Sequence, residues 1–430
     1  MKRSVLRLAC CVPALLLVTA CSNDDPQQER VSEPAEVSVR QFTLENPPEL
    51  AAGVKLGGFS GVVHAEGDPA DVFYTLIDRG PNGLINVGGT NRRTFPLADL
   101  TPSIYKIRFA DDRIEVLERI PIQRPDGIPI SPRPNIPGAD ETPFDVTGQQ
   151  QLPFDPEGLD TEGIAYDAAR DVFWVCDEYM SLVQISRKGT IMSRLVPAGN
   201  AAKLGVPYAR DVFPEYLTKR PRNRGFEGVA VSPGGRFLFG VVQNPLQNPN
   251  AAVGDTSRVV RMVSVDLATL QQAGEYVYVT EDASPFTGVN QADVSLSDMY
   301  ALSDTKLLVV ERDKNAGANA RIKRVYSVDL STATNVKNVS EIQGVTLEAM
   351  NPTQLQKAGV EPVAKKLLVD ILATIPGYPY EKIEGLTAVG PRRLIICADN
   401  DFGVEYRGAE QAQTGQPTQC HELLFSRDSF

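Results

Sequence analysis

Apolar runs in this chain are short, β-branched or aromatic, and bounded by Gly, Pro, Asn and Asp, the pattern of an all-β protein. One hairpin-like unit recurs. A small or acidic residue, Gly and an apolar residue open a strand; a turn and a second apolar strand follow; acidic or polar residues end it. The copies open at Ser60-Gly61, Glu162-Gly163, Glu227-Gly228, Asp298-Met299 and Glu384-Gly385, and the fourth lacks the Gly. They end at Asp78-Arg79, Asp177-Glu178, Gln243-Asn244, Glu311-Arg312-Asp313 and Asp399-Asn400-Asp401.

Further strand-like stretches follow each of the first four hairpins, as at 103–109, 182–186, 258–266 and 321–329. Repeated four-stranded units predict the blades of a β-propeller. The fifth unit has one strand left, 421–426, so 36–44 (EVSVRQFTL) is expected to complete it and tie the chain ends together. The count is five blades, or six if an irregular one hides in an insertion. Three insertions break the rhythm. The stretch 123–156 reads as a long ordered loop, 201–222 contains a helix-like stretch over 208–219, and 345–375 has the apolar spacing of two short helices.

In an antiparallel hairpin the start of the first strand and the end of the second share an edge. If each first strand is innermost, the charged ends gather at one mouth of the central channel. The candidate catalytic groups are then Glu162, Asp177, Glu178 and Glu227. Candidate metal ligands are Asp78, Glu157, Glu311, Asp313, Glu384, Asp399 and Asp401. So many carboxylates repel one another, and a hard cation such as Ca²⁺, which takes six to eight oxygens, would offset that. Arg79, Arg312 and Arg224 offer planar forks for an anion, and Tyr179 adds a hydroxyl, so these four are the candidate substrate-binding residues. The same pattern also has a structural reading, in which strand-end acids bond turns and Gly permits close blade packing.

The N-terminus changes the cellular picture. Lys2, Arg3 and Arg7 precede an apolar run from Leu8 to Leu17, and Val18-Thr19-Ala20-Cys21 follows. This predicts a lipoprotein signal peptide over 1–20, cleaved before a diacylated Cys21. The run is too short to span a bilayer, which takes roughly 20 residues. The polar stretch after Cys21, through 35, reads as a flexible tether, leaving 36–430 as the propeller domain. By resemblance to Gram-negative lipoproteins, Ser22 rather than Asp after the cysteine favours the periplasmic side of the outer membrane. The lipid anchor is the only membrane contact expected, and the domain is expected to be a monomer.

Formal net charge is −11, and removing residues 1–20 takes away only positive charge. That excludes nucleic acid as a partner and favours cations, or a small anionic ester bridged by one. Cys397 and Cys420 could pair in an oxidising compartment, leaving Cys176 free; the alternative is three buried thiols. The two histidines, His64 and His421, belong to no metal or phosphatase motif, and no Gly-x-Ser-x-Gly, P-loop or dinucleotide fingerprint is present. Trp174, on an apolar strand, reads as core.

The blocks GGFSGVVHAEG with DRGPNG, DTEGIAYDAARDVFWVCDEY, NRGFEGVAVSPGGRFL, LLVVERD and IEGLTAVGPRRLIICADNDFG together resemble the phytase-like esterase domain over roughly 50–430. The resemblance implies a propeller and a hydrolase of phosphate or other esters, calcium-dependent as in β-propeller phytases. Rival expectations are a non-catalytic propeller that binds a ligand or envelope protein at the same mouth, and a carboxylesterase using Ser60.

Overall fold

The computed structural model describes residues 35–407 and 409–430. The signal segment, Cys21 and all of the tether but Ala35 lie outside the described residues. Five four-stranded antiparallel blades follow one another along the chain. From the channel outward, blade 1 is Phe59–Val63, Val72–Ile77, Ser103–Ala110 and Arg113–Pro121. Blade 2 is Thr161–Asp167, Val172–Asp177, Ser181–Ser186 and Ile191–Pro197, and blade 3 is Phe226–Val231, Phe237–Val242, Val259–Asp266 and Gln271–Val279. Blade 4 is Ser295–Ala301, Lys306–Arg312, Lys323–Asp329 and Ala364–Asp370. Blade 5 is Lys382–Val389, Arg393–Asp399, Gln419–Phe425 and Val37–Thr43. Each inner strand packs on the next and the fifth on the first, closing the ring. Val37–Thr43 pairs antiparallel with Gln419–Phe425 along its whole length, from Val37 opposite Phe425 to Thr43 opposite Gln419.

Every hairpin carries a β-bulge at the same place in its inner strand. The register shifts at Gly61, between Thr161 and Ile164, between Phe226 and Gly228, between Leu296 and Asp298, and between Ile383 and Gly385. A bulge bends a strand and re-aims a side chain. The Gly lets the neighbouring blade come close. A Cβ on Gly228 would lie 3.0 Å from the backbone of Asp298 and Met299. Gly228→Ala is therefore expected to cost about 1–3 kcal/mol through overpacking, read as a lower urea midpoint with an unchanged m-value. Blade 4 solves the same problem differently. Asp298 holds the Gly position, and its carboxylate folds back to accept the N–H groups of Met299 (2.8 Å) and of Leu386 in blade 5 (2.6 Å).

The core lies between the blades, where alternate residues of facing sheets interlock; Trp174 is fully buried there. Cys397 and Cys420 sit opposite each other on adjacent strands of blade 5 and are disulfide-bonded. Cys176 is a buried free thiol whose Sγ accepts the Gly163 N–H at 3.0 Å.

Two of the helical expectations do not hold. Over 208–219 the chain forms a strand, Ala209–Phe213, parallel to the edge of blade 2, and then a 3₁₀ turn, Glu215–Lys219. Pro214 divides them, because the residue before a proline avoids the helical region. In 345–375 the helix Pro352–Lys357 forms behind an Asn351 capping box. Leu367 and Leu368, however, lie in Ala364–Asp370, the outer strand of blade 4, followed by one helical turn, Ile371–Thr374. Apolar spacing over so short a run does not separate strand from helix.

Candidate active site

The bulges fix which residues face the channel mouth. Aligned on them, Ser60, Glu162, Glu227, Ser297 and Glu384 take equivalent places on the inner strands. Asp298 is thus the counterpart of the glycines rather than of the glutamates. On the second strands the residues paired with the positions just before these places are Ile77, Asp177, Val242, Glu311 and Ala398, so the next residue in each reaches the rim: Asp78, Glu178, Gln243, Arg312 and Asp399.

A cavity of about 170 Å³ opens at this mouth. Of the sequence candidates, Asp78, Arg79, Glu162, Glu178, Arg224, Glu227, Arg312, Glu384 and Asp401 line it, and Asp399 lies in the adjoining groove. The others sit elsewhere. Asp177 and Glu311 fall one residue short of the rim, and strand alternation turns them to the opposite face. Asp177 accepts Ser181 Oγ (2.6 Å), Arg194 Nη2 (3.0 Å) and the Asp160 N–H (2.8 Å). Glu311 accepts the Tyr278 hydroxyl and Lys365 Nζ, at 2.8 and 2.9 Å. Asp313 is used up by Lys323 Nζ (2.5 Å) and the N–H groups of Arg321 (2.6 Å) and Ile322 (3.0 Å). The Tyr179 hydroxyl donates to the Pro132 carbonyl at 2.6 Å. Glu157 is half-buried outside the cavity lining.

Asp160 was not among the sequence candidates, although it stands two residues before Glu162 and alternate strand residues share a face. One carboxylate oxygen of each of Asp160, Glu162 and Glu178 lies within 4.8 Å of the others, and all three residues are buried. Asp160 accepts the Arg79 N–H at 3.1 Å and pairs with its guanidinium at 3.3 Å. Arg79 is steadied in turn by Glu141 at 3.7 Å, from the long insertion. Glu141 also grips Arg93 through two bonds of 2.8 and 2.9 Å. Arg93 and Lys382 complete the basic side of the mouth, with Lys382 Nζ bound to Asp399 (2.5 Å) and Asp401 (2.8 Å). No sequence signal marks Glu141 or Arg93; only the fold brings these insertions over the mouth.

Across the cavity, Arg312 Nη2 donates to Glu384 at 2.8 Å, while its Nε is buried without a partner. Gln243 bridges Arg224 and Glu227. Its Oε1 accepts from Arg224 Nη1 at 2.7 Å and its Nε2 donates to Glu227 Oε1, leaving Glu227 Oε2 buried and unpaired.

Burial, then repulsion from Asp160, pushes the Glu178 carboxyl up to about 7. Burial raises Asp160 to about 6, against the pull of Arg79. Glu162 and Glu227 are held well above the ordinary range by burial and by neighbouring carboxylates. Such a cluster holds protons when no cation is bound, and a hard cation would displace them. The donor set fits a metal of the calcium type.

The pH dependence of stability has a definite sign. Where a carboxyl's folded pKa exceeds its unfolded one, the folded state binds more protons between the two values, so stability falls as pH rises. His421 works the other way. Burial holds its imidazole down at about 4, so it opposes folding only below its unfolded pKa near 6.5 and is silent above. Between pH 6.5 and 8 the metal-free protein is therefore expected to lose thermal stability. Added Ca²⁺ should restore it, with affinity rising with pH and protons released on binding. Calorimetry in buffers of different ionisation enthalpy measures that release.

A secreted protein of Arthroderma benhamiae, described as uncharacterised, is 24% identical over 364 residues, covering 70% of each chain. Among solved structures, the WD40 propeller domain of Doa1 aligns at 7% identity and a TM-score of 0.34, covering 90% of this chain and 97% of that one. The hydrazine synthase of Kuenenia stuttgartiensis aligns at 12% and 0.32, covering 79% and 81%. The family described as "Phytase-like: Esterase-like activity of phytase" matches residues 54–402, which span the bulged hairpins and the whole mouth, and the chain belongs to that family.

Proposed function

We propose that this protein is a cell-envelope hydrolase, anchored through Cys21, that cleaves a phosphoester at the acidic mouth with the help of Ca²⁺. The observation that carries this is the convergence of Glu162 and Glu178, backed by Asp160, with Arg79, Arg93, Arg224 and Arg312 on one small cavity. The secreted relative supports an extracytoplasmic site of action, and no described helix is long and apolar enough to cross a membrane.

Asp160, Glu162 and Glu178 would hold the cation. When bound, it supplies Lewis-acid stabilisation of a phosphoryl oxygen and a more acidic water. The protein's own groups do the rest. Arg312 and Arg224 present N–H donors to the phosphoryl oxygens. Glu227, pushed toward the protonated form by burial and neighbouring carboxylates and oriented by Gln243 through Oε1, would carry its proton at the unpaired Oε2. Water oxygen bonds to phosphorus, the ester P–O bond breaks, and the departing oxygen takes the Glu227 proton. The attacking water gives its proton to the rim carboxylates. Separated carboxyl pKa values of this kind suit acid and base roles in one site.

The test is phosphate release from a panel of mono- and diesters by the purified protein, with Ca²⁺ and with a chelator. Turnover is expected only with the metal. Silence on every ester in the presence of Ca²⁺ would sink the proposal, and tight ligand capture without turnover would point to a binding propeller instead.

A further inference from the structure

Beside the mouth lies a much larger groove, of about 780 Å³. Two insertions build it, both leaving the second strand of a blade just past its rim residue. The hairpin Gly83–Val87 with Thr90–Thr94 follows Asp78, and the hairpin Val404–Arg407 with Glu410–Gln413 follows Asp399. They join into one small sheet where Gly83 pairs with Tyr406. A Cβ on Gly83 would meet Thr94 Oγ1 at 2.9 Å and Tyr406 at 3.3 Å, so the seam is close.

The groove is continuous with the mouth, because Asp78, Asn82, Arg93, Glu381 and Asp401 line both. Its size is that of a site for an organic ligand, which runs to roughly 300–1,000 Å³. Its wall includes Leu84, Ile85, Phe402 and Tyr406, and Leu84 is 53% exposed. At the junction the backbone is strained, with Asp401 and Phe402 at φ of 49° and 58°. Non-glycine residues seldom adopt such angles, and they cluster at ligand sites.

Charge decides what the groove takes. Asp78, Glu381, Asp399, Asp401 and Glu405 line it against only Arg93 and Arg407. Both arginines are already paired, Arg93 with Glu141 at 2.8 Å and Arg407 with Glu405 at 3.1 Å. With five acids against two arginines, the lining disfavours a second phosphate. We infer that this groove holds the alcohol part of the substrate, and that the substrate is a single phosphoester of a neutral or cationic, partly apolar organic group rather than a polyphosphate. This rests on the phosphoester reading of the mouth.

The test is calorimetric binding of three non-hydrolysable probes in the presence of Ca²⁺: ethylphosphonate, 2-phenylethylphosphonate and propane-1,3-bisphosphonate. The phenyl probe is expected to bind about tenfold tighter than the ethyl probe, the gain from burying much of an aromatic ring. The bisphosphonate should bind no tighter than the ethyl probe. Leu84→Glu, at an exposed position, and Tyr406→Ala should each cut the phenyl preference to less than about threefold. Equal affinity for the ethyl and phenyl probes, a bisphosphonate that binds tightest, or a preference that survives both substitutions would overturn the inference. Binding of none of the probes would refute the anion site and the groove together. An intact phenyl preference without ester turnover would refute hydrolysis and leave the groove standing.

Discussion

Glu162→Gln is expected to lower metal-dependent turnover by about 10²–10⁴-fold, the range for losing an acid–base or ligand carboxylate, while the metal-free protein becomes no less stable. Glu162 makes no side-chain hydrogen bond among the described residues, yet it is buried at 7% exposure. Glu227, Asp160 and Glu178 all push its carboxyl toward the protonated form. A neutral isostere relieves that repulsion without opening a hole. Stability and activity should therefore move in opposite directions, which is the mark of a residue retained for function. Thermal unfolding at pH 8 without metal should show an equal or higher Tm. Added Ca²⁺ should raise the Tm of the original protein more than that of the variant. A variant that keeps full turnover would remove Glu162 from the site.

Arg194→Met is the opposite case. Arg194 is completely buried behind the site, with Nη2 on Asp177 at 3.0 Å and on the Gly158 carbonyl at 3.1 Å, and with Nε on Ser181 at 3.0 Å. Asp177 in turn accepts the N–H of Asp160, so this pair sets the backbone that carries the acid cluster. Removing the arginine strands a buried carboxylate, which costs about 3–5 kcal/mol. Urea unfolding should show that loss. Adding Asp177→Asn should recover part of it, because the two residues act as a pair. A loss within about 0.5 kcal/mol, the level of an ordinary surface change, would mean that Asp177 is not held by Arg194.

The five hairpins were legible because the acid–Gly–apolar opening is the local requirement of a bulge that must also let the next blade approach. The closing strand 37–43 was legible from the one strand missing in the last unit. What could not be read was facing. Asp177 and Glu178 are adjacent acids, and Glu311 and Asp313 flank Arg312; sequence alone does not say which residue of each set meets the channel, since a bulge shifts the alternation by one residue. Asp298 looked like a rim acid because it was aligned with the opening acids Glu162, Glu227 and Glu384, and only the register shows that Ser297 holds the rim place. The outer strand Ala364–Asp370 was read as helix because Leu367, Leu368, Ile371 and Leu372 repeat at helical spacing, although only the last two belong to a helical turn. The groove's two hairpins are short and mostly polar, so neither announces an element, and their joining depends on blades 1 and 5 being neighbours across the closure.

That closure also governs how the molecule is made. Val37–Thr43 is the first propeller strand synthesised, yet its hydrogen-bonding mate, Gln419–Phe425, comes after every other strand of the ring. Until then the leading segment has bare amides, and the ring stays an open arc until its trailing segment arrives. Contacts so distant in sequence form late and slowly. A chain stalled or cut before residue 419 would leave two sticky borders at once, prey for proteases and for its own copies.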